Sequence, residues 1–61
     1  MSRVWTSDEV KGLRQRLGKT QKEFGEMLGV HVVTVIRWES GSFNPSKMAA
    51  KMLDRLVSKK Q

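Results

Sequence analysis

Apolar residues recur along this chain at three- and four-residue intervals, in four stretches punctuated by glycines and one short loop, and the pattern predicts an all-helical fold. The first helix is expected to open at Thr6, which forms a capping box with Glu9, and to run to about Leu17. Val10, Leu13 and Leu17 share one of its faces. Trp5 and Val10 occupy the two positions of a hydrophobic staple, which folds Trp5 back over the helix start. Asp8 and Glu9 lie against the positive end of the helix dipole, and Gly18 ends the segment.

Thr20 and Glu23 make a second capping box, opening a helix with Phe24, Met27 and Leu28 inward and Gly29 as its stop. Gly25 sits inside that helix, where glycine costs ~1 kcal/mol relative to alanine. Such a glycine makes sense where the backbone of another helix passes too close for a larger side chain. A third helix is expected from His31 or Val32 through Glu39. Its run Val32-Val33-Thr34-Val35-Ile36 suits a strand on local propensity. The spacing of Val35 and Trp38 between Gly29 and Gly41 instead completes a three-helix packing. Residues Ser40 to Asn44 read as a loop. Pro45-Ser46 open a fourth helix, with Ser46 as N-cap and Met48, Ala49, Met52, Leu53 and Leu56 at helical spacing to about Ser58. The last residues, Lys59 to Gln61, are expected to fray. There is no internal repeat and no linker, so residues 1–61 are expected to form a single domain.

Composition narrows the function classes. Sixty-one residues support only a small core. With no cysteine there is no disulfide, thiolate zinc site or cysteine nucleophile, and one histidine makes no metal cluster. The expectation is a cytoplasmic protein with no cofactor, no small-molecule ligand and no membrane span. No carboxylate pair, nucleophile–base set or phosphate-cradling loop suggests an enzyme. The net charge of +6 favours polyanions. It is unevenly spread. Residues 1–19 carry five basic and two acidic groups for +3. Residues 20–39 set Lys22 and Arg37 against Glu23, Glu26 and Glu39 for −1. Residues 40–61 set Lys47, Lys51, Arg55, Lys59 and Lys60 against Asp54 for +4. Basic flanks around a near-neutral centre suit phosphate attraction outside and base reading inside.

Residues Leu17-Gly18, Thr20-Gln21, Glu23, Phe24, Gly25, Leu28-Gly29-Val30, Val35, Trp38-Glu39, Gly41 and Pro45 occur in an order that resembles the Cro/repressor (Xre) type of helix-turn-helix protein. The resemblance covers about residues 8 to 56, with the helix-turn-helix unit at 20–39. It implies a compact four-helix, lambda-repressor-like bundle of prokaryotic or phage origin. It also implies that Val32, Val33 and Arg37 point into the major groove, with His31 and Thr34 at the groove edge. Arg37 suits a bidentate contact to guanine, and the valines and the Thr34 methyl suit thymine methyls. The alternative for Arg37 is an ion pair with Glu26 or Glu39. Contacts to the DNA backbone are expected from Lys19, Gln21, Lys22, His31, Ser40, Ser42, Asn44 and Lys47. By the same resemblance Arg14 pairs with Glu39. His31 replaces the usual serine or threonine cap, which loosens the helix start. A phosphate contact from it would strengthen as pH falls through an ordinary histidine titration near 6.5.

The function that follows is a transcriptional repressor binding a palindromic operator in double-stranded DNA as a homodimer. Met52, Leu56 and Val57, or the Val4-Trp5 arm, are the candidate self-association surfaces, and Arg3 is not expected to make specific contacts. An antitoxin that binds its own promoter and a toxin protein is the alternative. A fragment of a longer regulator is a third, against which the initial methionine and basic tail are expected to be natural termini.

Overall fold

The computed structural model describes residues 5–58, which leaves Arg3, Val4 and Lys59–Gln61 outside the described residues. Four helices follow one another, α1 (Ser7–Arg16), α2 (Gln21–Leu28), α3 (Val32–Ser40) and α4 (Lys47–Ser58). Local chemistry fixes their starts. Both capping boxes are complete, from Thr6 to Glu9 and from Thr20 to Glu23. The Thr20 backbone N–H holds the Glu23 carboxyl below the usual carboxylate range. That bond therefore contributes above the ordinary range and is lost as acid passes through the lowered value. Ser46 Oγ accepts from the Ala49 N–H at the start of α4, at 3.3 Å.

The core consists of Trp5, Val10, Leu13, Phe24, Leu28, Val35, Trp38, Ala50 and Leu53, with Val30, Ala49, Met52 and Leu56 packed around it. Trp5 and Val10 are both buried, as a staple requires, and Trp5 Nε1 donates to Asp54 Oδ1 of α4 at 2.9 Å. One long-range hydrogen bond thus ties the chain before α1 to the last helix. Burial of Trp5 also removes it from the candidate self-association surfaces, while Val57 of the other candidate is exposed.

Three expected core residues lie outside it. Leu17 is exposed because α1 ends at Arg16 and Leu17 is only its C-cap. Met27 is exposed because Phe24, Gly25 and Leu28 set the inner face of α2. Met48 is 74% exposed, and Ala50 takes the inward position in α4. For Met27 and Met48 an apolar neighbour one or two positions away set the phase of packing.

Gly25 has a definite steric cause. A Cβ there would stand 2.8 Å from the Val30 carbonyl oxygen and 3.4 Å from Val35 Cγ2. The passing backbone is that of the α2–α3 turn. Gly29 makes the turn itself, with φ +75°, a left-handed conformation that side chains disfavour. Gly25→Ala is expected to lower stability by a net of up to ~2 kcal/mol. Overpacking costs ~1–3 kcal/mol, and alanine's better helix propensity offsets ~1 of it. A urea midpoint equal to or above wild type would show that the turn yields without cost.

Candidate nucleic-acid interface

α3 is held at both ends and along its back. Val35 and Trp38 bury its inner face against α1 and α2, overriding the strand propensity of its β-branched run. Its outward stripe is Val33, Ile36, Arg37 and Ser40, spaced i, i+3, i+4 and i+7 on one exposed face. Val32 and Thr34 flank that stripe and are half-buried. Ile36, 43% exposed, belongs to the face that was expected to read bases but was not among the residues named for it. Its place three after Val33 and one before Arg37 is the periodic signal that marks it.

Arg37 is exposed and is the one cation on α3. Among the described residues no ion pair engages it, because Glu39 is taken by Arg14. Arg14 Nε donates to Glu39 Oε2 at 2.6 Å and Nη2 to Oε1 at 3.1 Å, a two-pronged contact with the side chains 15% and 6% exposed. Hydrogen bonding to Glu39 raises the Arg14 guanidinium above its ordinary value, against the opposing effect of burial. Arg14 Nη1 also donates to the Lys19 carbonyl at 2.9 Å, and Gln21 Nε2 donates to Glu39 Oε1 at 3.1 Å. A single carboxylate therefore joins α1, the first residue of α2 and the end of α3. Gln21 is half-buried and already gives one amide hydrogen to this cluster.

His31 caps α3. Its Nδ1 accepts from the Val33 N–H at 3.1 Å, so the start of α3 is fixed and not loosened. Acceptance requires an unprotonated Nδ1 and leaves the ring proton of the neutral imidazole on Nε2. His31→Ala is expected to cost ~1 kcal/mol, the typical loss for a helix cap, and His31→Ser to recover most of it. Equal melting temperatures for the two variants would show that the ring does not cap.

Beyond α3, Ser40 Oγ donates to the Arg37 carbonyl at 3.1 Å and lies 2.9 Å from Ser42 Oγ. Asn44 and Lys47 are exposed in the loop and at the start of α4, and Lys19 and Lys22 are exposed around the start of α2. The polar groups expected at the DNA backbone thus fringe both ends of the helix-turn-helix unit.

A helix-turn-helix family model matches residues 10–57, most of the chain. The protein belongs to the Cro/repressor type, Xre-like helix-turn-helix family. No curated protein and no solved structure matches it. The family is one of DNA-binding transcription regulators, and double-stranded DNA is its ligand. In this family member, α2 is the supporting helix and α3 the one presented outward. No helix among the described residues is long and apolar enough to cross a membrane.

Proposed function

We propose that the protein is a repressor that binds a palindromic operator through the major groove as a homodimer, with residues 1–61 acting as one DNA-binding domain. The outward stripe of α3 carries this reading, since it offers one forked cation among apolar side chains on a rigidly backed helix. Arg37 reads a guanine, while Val33 and Ile36, flanked by Val32 and Thr34, pack on thymine methyls. Lys19, Gln21, Lys22, Ser40, Ser42, Asn44 and Lys47 position the domain on the phosphates, and His31 orients the helix that does the reading.

One such module contacts too few base pairs for useful selectivity, and a two-fold pair of modules doubles the site. Half-site centres then lie one helical turn apart, about 34 Å. Selection from a random duplex library tests the whole reading. The expected product is an inverted repeat of that spacing with a G·C pair and T·A-rich positions in each half. Enrichment of a single asymmetric half-site would overturn the homodimer, and no enrichment over random sequence would overturn the repressor.

A further inference from the structure

The outer face of α4 has no role in the stripe of α3. Lys47, Lys51 and Arg55 follow each other at four-residue steps and are all exposed, opposite Ala50 and Leu53 in the core. They form a continuous row about 12 Å long. Among the described residues no carboxylate pairs with any of the three. The one acid of α4, Asp54, stands three positions after Lys51 at the edge of the row and accepts from Trp5 Nε1. Like charges at i and i+4 destabilise a helix, so a row of this kind costs stability that a bound polyanion would return.

On α1, by contrast, Lys11, Arg14 and Arg16 are mixed with Asp8 and Glu9, and Arg14 is committed to Glu39. The α4 row is also continuous with the proposed backbone contacts, since Lys47 begins it.

We propose that Lys51 and Arg55 extend the Lys47 contact into a second phosphodiester-binding surface. This inference rests on the DNA-binding reading above and adds a ligand surface outside the helix-turn-helix unit. The phosphates come either from the flank of the duplex that α3 enters or from a second duplex.

The test compares wild type with the double variant Lys51→Gln/Arg55→Gln and with a control of equal charge change, Lys11→Gln/Arg16→Gln. Each is titrated with a 30-base-pair random-sequence duplex between 50 and 200 mM salt. Each contacted phosphate adds about 0.9 to the slope of log affinity against log salt. The α4 variant is therefore expected to lose about 1.8 units of slope, which is roughly tenfold in the change of affinity across that range. The control is expected to lose markedly less, with melting temperatures of both variants close to wild type.

A second arm measures capture of a labelled duplex by protein already bound to an immobilised one. Loss of slope without loss of capture assigns the surface to the same duplex, and loss of capture assigns it to a second. Equal slopes in wild type and α4 variant together with undiminished capture, or equal losses in the two variants, would overturn the proposal. A wild type that binds no duplex would instead overturn the function on which it rests.

Discussion

Glu39→Ala is expected to lower the melting temperature by roughly 10–25 °C. The carboxylate accepts two hydrogen bonds from Arg14 and one from Gln21, and its side chain is only 6% exposed. Alanine leaves a partly buried guanidinium and an amide N–H without their acceptor. Breaking one member of a buried pair costs ~3–5 kcal/mol. Arg14 retains the Lys19 carbonyl and some contact with water, which moves the expected loss to ~2–4 kcal/mol. In a domain of this size each kcal/mol shifts melting by ~4–8 °C. Total stability at this length is only on the order of 3–9 kcal/mol, so the variant sits near its unfolding limit.

A double replacement, Arg14→Met/Glu39→Met, removes both charges together and is expected to recover most of the loss. DNA affinity should fall with the folded fraction and return on cooling. A melting shift under about 4 °C, within what ~1 kcal/mol produces, would show that the pair is solvated and does not hold α1 to α3.

The parts of the fold that were legible in the sequence are those governed by neighbouring residues. Thr6 with Glu9 and Thr20 with Glu23 announce two helix starts because a capping box is complete within four residues. Gly25 announced a close approach because nothing local rewards glycine inside a helix, though its neighbour proved to be the turn and not another helix. What failed was phase. At Met27–Leu28 and Met48–Ala50, apolar residues lie side by side, so periodicity alone cannot say which turns inward. Packing chose Leu28 and the small Ala50.

The outward stripe was obscured in the same way, because the unbroken run Val32-Val33-Thr34-Val35-Ile36 offers no polar position to separate the exposed Ile36 from the buried Val35. Two other features had no sequence signal. The bond from Trp5 to Asp54 spans 49 positions, and the capping role of His31 depends on which ring nitrogen faces the Val33 N–H.

Arg37→Ala is expected to erase selectivity at one base pair in each half-site while leaving the fold intact. The side chain is exposed and outside the Arg14–Glu39 cluster, so melting should stay within ~1 kcal/mol of wild type. A bidentate contact to guanine is worth ~1–3 kcal/mol of discrimination, or roughly five- to 150-fold between the right and wrong base. No other cation on α3 can take over that contact, because the rest of the exposed stripe is Val33, Ile36 and Ser40.

Arg37→Lys separates charge from geometry. Lysine keeps the attraction to phosphate but lacks the planar fork, so it should retain the salt slope of wild type and still lose most of the discrimination. Binding measured on the selected site and on its single-base variants distinguishes the two roles. If Arg37→Ala weakened every sequence alike and lowered the salt slope by about 0.9, the guanidinium would belong to the backbone. Reading would then fall to Val33 and Ile36, whose methyl contacts recognise thymine, together with the groove shape that the sequence imposes.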